Sequence, residues 1–195
     1  MAGALAYEPI IEERQDYEII GGREYMMSRP SMDHIRVEGN IHSRFKNYLR
    51  GKRCQAFLEP DVFLSEDDDH VIPDVVIVCN PDIITKKRIE GTPDLVVEIL
   101  SRSTEKKDRI DKLFTYEKYG VKEYWLVDPI RKSVMVYVLR DGKFEFDNIY
   151  YFYTAKEWAD MDEKERAEAE SQKMIKVSLY DDFIIDVADV FEDID

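Results

Sequence analysis

A carboxylate stands in this chain where a carboxylate is costly. Leu95-Val96-Val97-Glu98-Ile99-Leu100 is a strand whose apolar residues do not alternate, a pattern that marks burial on both faces. Glu98 lies in its middle, and burying a bare carboxylate is unfavourable. Glu98 is therefore protonated, paired with a base or bound to a metal; an acid on an edge strand is the plainer alternative. Asp74 is the second candidate. Pro73-Asp74 opens the run Val75-Val76-Ile77-Val78-Cys79, and proline is tolerated at a strand's first residue, where no ladder donor is needed. Alone, Asp74 reads as a turn cap. Beside Glu98 it means more, because acids on neighbouring strands lie about 5 Å apart and make a hard-oxygen pair suited to Mg²⁺. Two further Pro-Asp pairs compete. Asp94 is about 13 Å from Glu98 by strand rise, too far to share an ion, whereas Asp61 could approach from an adjacent strand as an extra ligand.

Asp108, Lys112 and Tyr116 recur every four residues on a predicted helix. Ile110, Leu113 and Phe114 lie on its other side and read as the docking face. Lys112 is then either half of an ordinary i,i+4 surface pair or a lysine held over the sheet. In the second case it orients an attacking water or offsets charge building on a phosphate. His34, one turn before Glu38, reads as a satisfied histidine at the core edge. Three histidines and no Cys-x-x-Cys give zinc little support. G-x-S-x-G, G-x-x-x-x-G-K-[ST] and G-x-G-x-x-G are all absent, so serine-hydrolase, P-loop and dinucleotide chemistry lack their signatures.

These residues need elements to carry them. Tyr17–Ile20 and Glu24–Met27 around Gly21-Gly22 read as a hairpin. Ser31 caps a helix to about Leu49, with Ile41, Phe45 and Tyr48 on its buried face. Strands follow near Cys54–Leu58, Val62–Leu64, Val75–Cys79 and Leu95–Leu100, with a polar turn at Ser65–His70. A helix from Thr104 stops at Gly120. Lys122–Val127 and Val134–Leu139 are further strands, and a weaker one spans Met174–Leu179 within an otherwise helical, acidic tail. The expectation is one mixed α/β domain over 1–195, a sheet flanked by helices, with its core at about 15–150 and an acidic C-terminal extension at 151–195.

The 195 residues carry 42 acids against 28 bases, a net charge of -14, which argues against a polybasic nucleic-acid coat and against an anionic membrane as partner. The surplus is uneven: Lys156–Asp195 holds 14 acids and 5 bases, leaving local basic clusters at Arg36–Arg53, Lys86–Arg88 and Arg102–Lys112. Such clusters can attract phosphate within about 8–10 Å, a Debye length. No apolar run approaches the roughly 20 residues of a membrane span. Glu8, Glu12 and Glu13 interrupt the N-terminal apolar residues, so no signal peptide is expected there. Of the two cysteines, Cys54 and Cys79, the second sits in an apolar run and reads as a reduced core residue, and the setting as cytoplasmic.

Pro73-Asp74, Pro93-Asp94-Leu95-Val96-Val97-Glu98-Ile99-Leu100-Ser101, Ser103-Thr104, Asp108, Lys112, Tyr116, Gly120-Val121 and Glu123-Tyr124-Trp125-Leu126-Val127-Asp128-Pro129 together resemble the Uma-two family of restriction-endonuclease-like proteins, a branch of the PD-(D/E)xK nucleases. The resemblance implies a restriction-endonuclease-like core hydrolysing DNA phosphodiesters, with Asp74 and Glu98 as the catalytic acids. Mg²⁺, replaceable by Mn²⁺, would sit on Asp74, Glu98 and the Ile99 carbonyl. The lysine position of the parent motif is Leu100 here, and Lys112 becomes its replacement. The basic clusters at Arg44–Arg53 and Arg102–Arg109 would hold the DNA backbone. A homodimer suits cutting of both strands. The alternative is a catalytically silent nuclease fold that binds DNA or a protein.

Overall fold

A computed structural model of the chain describes residues 16–65 and 69–194; the Glu8–Glu13 stretch, and the middle of the expected Ser65–His70 turn, lie outside the described residues. β1 (Tyr17–Ile20) and β2 (Arg23–Met26) form the expected hairpin. Gly21 and Gly22 close it at φ +57° and +73°, left-handed values that glycine adopts without a steric penalty. α1 (Met32–Leu49) begins where Ser31 Oγ accepts from the His34 backbone N–H at 3.2 Å. It buries Val37, Ile41, Phe45 and Leu49, its residues at helical spacing.

The main sheet has six strands in the order β11-β10-β9-β8-β6-β3. These are β3 (Gln55–Leu58), β6 (Val75–Val78), β8 (Leu95–Ile99), β9 (Glu123–Asp128), β10 (Ser133–Arg140) and β11 (Lys143–Tyr151). All neighbours are antiparallel except β8 and β9, so the sheet is mixed. β8 is interior and every residue of it is buried, which removes the edge-strand alternative for Glu98. Alternate side chains feed two cores. Val75, Ile77, Val97 and Ile99 pack on α1, and Val76, Val78, Val96 and Leu126 pack on the opposite side. The second side is covered by the smaller sheet β2-β1-β5-β4-β7, where β4 is Val62–Phe63, β5 His70–Val71 and β7 Ile89–Glu90, and by the helix that carries Lys112.

Three expectations need correction. The helix after Thr104 winds as a π-helix over Lys107–Lys112 before becoming α2 (Leu113–Tyr119), and its docking face is inverted. Asp108, Lys112 and Tyr116 are buried, while Ile110 and Phe114 are 45% and 65% exposed. The reason is electrostatic: the surface beneath presents carboxylates, so the polar face docks. Second, Cys79 is not a reduced core thiol but is joined to Cys54 in a disulfide. Gln55 pairs with Val78, so the cysteines one step beyond face each other across β3 and β6. Third, the core does not end at about 150, because the acidic C-terminal extension contributes to it. After α3 (Ala155–Asp160) and α4 (Glu163–Ser171), the pair β12 (Met174–Lys176) and β13 (Ile184–Asp186) and α5 (Val187–Val190) bring Ile175, Phe183, Val190 and Phe191 into the α1 core. No helix among the described residues is long and apolar enough to cross a membrane.

Candidate active site

The sheet register brings the two predicted acids together. Val75 pairs with Val97, so Asp74, one residue before β6, falls opposite Glu98 with its side chain on the same face. Asp74 Oδ2 accepts the Ile99 backbone N–H at 2.5 Å, and Asp74 Oδ1 lies 2.9 Å from His34 Nε2. His34 is thus more than a core-edge residue; it reaches from the first turn of α1 to orient Asp74. Burial disfavours its imidazolium, but the hydrogen bond and charge of Asp74 outweigh that and raise its pKa.

Glu98 Oε1 takes two donors, Lys112 Nζ at 2.7 Å and the Tyr116 hydroxyl at 2.6 Å. Lys112 is therefore the lysine held over the sheet, not half of a surface pair. Its ammonium also lies 2.7 Å from Glu18 Oε1 and 3.8 Å from Asp108 Oδ1. Glu18, fully buried on β1, further accepts Lys107 Nζ, and the Ile72 backbone N–H at 3.0 Å. Glu18 was missed from the sequence, although Tyr17-Glu18-Ile19-Ile20 carries the same signal as Glu98, an acid amid apolar strand residues.

Three buried acids, Glu18, Glu98 and Asp108, thus crowd around two ammonium groups, Lys107 and Lys112. The imbalance shows in their proton affinities. Burial, opposed by Lys112 but reinforced by Asp108, Asp74 and Glu18, pushes the Glu98 carboxyl well up. Burial also raises Asp108. Burial opposes ionisation of Glu18 too, yet Lys112 and Lys107 hold it below the ordinary range. Desolvation works against the charge on Lys112, and the surrounding Glu98, Glu18 and Asp108 more than restore it.

Asp74, Glu98, Lys112, Asp108, His34 and Glu18 line one cavity of about 210 Å³. Its acids offer hard oxygen donors, and Asp108 Oδ1 is a buried side-chain atom without a hydrogen-bond partner among the described residues. Among the described residues no three acidic, histidine or cysteine side chains are placed to hold an ion by themselves. The set still fits Mg²⁺, which keeps several waters and is typically bound through one or two carboxylates plus substrate phosphate. The other Pro-Asp acids are engaged elsewhere. Asp61 lies 2.9 Å from His70, and Asp94 accepts the Cys79 N–H and Lys122.

The basic clusters divide. Arg44 is 2.8 Å from Asp189, and Arg36 pairs with Asp33. Lys52 lies over the Tyr48 ring, and Lys107 and Lys112 point inward. Arg29 lines the cavity.

The family model described as "Putative restriction endonuclease", Uma2, matches residues 4–157. The chain belongs to the Uma2 family. An uncharacterised protein of Synechocystis is 28% identical to this Uma2 chain over 131 residues, covering 66% of this chain and 69% of that one. Among solved structures, a protein of Anabaena variabilis described as a putative nuclease belonging to DUF820 superposes with a TM-score of 0.66 at 20% identity, over 90% of this chain and 89% of the other. That likeness shows that this Uma2 chain shares the other's fold.

Proposed function

We propose that the protein is a metal-dependent endonuclease that hydrolyses DNA phosphodiester bonds. The observation that carries this reading is the meeting of Asp74 and Glu98 on one sheet face, with the Lys112 ammonium 2.7 Å from Glu98. Asp74, Glu98 and the Ile99 carbonyl would hold Mg²⁺ or Mn²⁺, which when bound neutralises charge on the scissile phosphate and acidifies a water. The protein's own groups do the rest. His34 and the Ile99 N–H fix the Asp74 carboxylate, Tyr116 fixes Glu98, and Lys112 presents a positive charge to the cavity where the phosphate would gain negative charge in the transition state. Arg29 at the cavity and the exposed Arg102 and Lys106 beside it are suited to the DNA backbone. Arg44, engaged by Asp189, is not. A homodimer would supply two active sites for the two strands. A cytoplasmic setting belongs to the same reading, and the Cys54–Cys79 bond would there meet a reducing environment.

A catalytically silent binder of DNA or protein is favoured by one observation: an acidic segment occupies Arg44 in a chain of net charge -14. Incubation of supercoiled plasmid with Mg²⁺ or Mn²⁺ separates the two. Nicking by the wild type, lost in Asp74→Ala, supports the endonuclease. Salt-sensitive binding with no cleavage supports the silent reading. Cleavage retained by Asp74→Ala removes the site assignment.

A further inference from the structure

Asp108 has no role in the reading above, and its environment is unusual. It is 2% exposed, and its Oδ1 is a buried side-chain atom that no donor among the described residues reaches. Buried acceptors are ordinarily satisfied. The nearest cation is the Lys112 ammonium at 3.8 Å, beyond hydrogen-bond range, on the same π-helical turn. That ammonium has three donors, and Glu98 and Glu18 take two of them, each at 2.7 Å. A third donor and an unused acceptor therefore lie 3.8 Å apart, about 1 Å too far for a charged hydrogen bond. π-helical turns are rare and are found frequently at functional sites.

We propose that Asp108 is a positioning residue, the alternative acceptor that takes the Lys112 ammonium when Glu98 turns to a divalent cation. The inference rests on the metal-dependent reading. Lys112 and Tyr116 both donate to Oε1 of Glu98, so a cation taken up by this carboxylate sits beside the Lys112 ammonium, and the two positive charges repel. Glu18 remains a fixed pivot, held by Lys107 and the Ile72 N–H. A shift of the ammonium by about 1 Å toward Asp108 makes a hydrogen bond of ordinary charged length, relieves that repulsion and keeps Lys112 over the cavity. Asp108 thus explains how a lysine that seals the acid pair in one state can serve it in another.

The test is ¹⁵N NMR of lysine side chains in the full chain, with the Lys112 signal assigned by its loss in Lys112→Met. In wild type, Mg²⁺ added without DNA should move the Lys112 signal saturably. In Asp108→Asn the signal should shift far less, and Mg²⁺ affinity by calorimetry should fall about tenfold, the scale at which loss of an outer-shell partner is felt. Saturable Mg²⁺ binding with a stationary Lys112 signal overturns this inference and leaves the metal reading intact. No saturable binding by wild type overturns both. Should Asp108→Asn fail to fold, the wild-type titration alone decides.

Discussion

Replacing Lys112 should cost far more stability than neutralising Glu98, although the two form one ion pair. Lys112 Nζ is 2.7 Å from Glu98, 2.7 Å from Glu18 and 3.8 Å from Asp108. At an effective dielectric of about 20, each shorter contact is worth roughly 6 kcal/mol of gross attraction and the longer one about 4 kcal/mol. Those gains are set against a desolvation cost of several kcal/mol per ion. Lys112→Met deletes all three attractions and leaves the acids facing one another, so a loss of about 3–5 kcal/mol is expected, the range for removing one partner of a buried pair. Glu98→Gln deletes one attraction, but also the burial cost of that carboxylate and its repulsion by Asp108, Asp74 and Glu18. Lys112 keeps Glu18, and the amide oxygen still accepts from Tyr116. The expected change is within about 1 kcal/mol of zero. Urea unfolding at neutral pH with a chelator present measures both. Equal losses, or a larger loss for Glu98→Gln, would refute the acid-surplus argument.

Glu38 provides a pH test. Burial, then the charges of Glu59 and Asp74, raise its carboxyl from 4.5 to about 7. The folded protein keeps this proton where the unfolded chain has released it, so the contribution is fully present below pH 4.5 and is lost as pH rises to about 7, by at most about 3 kcal/mol. Glu38→Gln should flatten that slope in urea unfolding across the window; parallel wild-type and variant profiles would contradict it. Glu18→Gln should lower the rate of plasmid nicking at least about tenfold by loosening Lys112, since misplaced charge at the reacting centre costs that much or more, and an unchanged rate would deny Glu18 its role. Reducing Cys54–Cys79, which closes a separation of 25 residues, should cost about 3 kcal/mol. Protein unfolded without reductant should show no free thiol, and two titratable thiols would contradict the bond.

Much of this site was legible because its acids violate local rules. Glu98 in an apolar run and Asp74 behind a proline stood out, and the register then did what neighbouring strands must. The hairpin, the Ser31 cap and the α1 core face followed from turn chemistry and helical period. The failures share a cause. Ile110 and Phe114 suggested the docking face only under the assumption that what they meet is apolar; the facing surface is a set of carboxylates, which no local pattern reveals. Glu18 was hidden because its significance depends on β1 lying over the Lys112 helix, a contact between distant parts of the chain. The acid-rich composition after residue 156 concealed the spaced Ile175, Phe183, Ile185, Val190 and Phe191 that complete the core. Cys54 and Cys79 looked independent until β3 and β6 paired.

The central claim is that Asp74 and Glu98 together hold a divalent cation beside Lys112. Anomalous diffraction from crystals soaked in Mn²⁺ addresses it directly. The account predicts one peak within coordination distance of both carboxylates, inside the cavity that Lys112 lines. A Mn²⁺ peak on other residues, or none at saturating Mn²⁺, would contradict it.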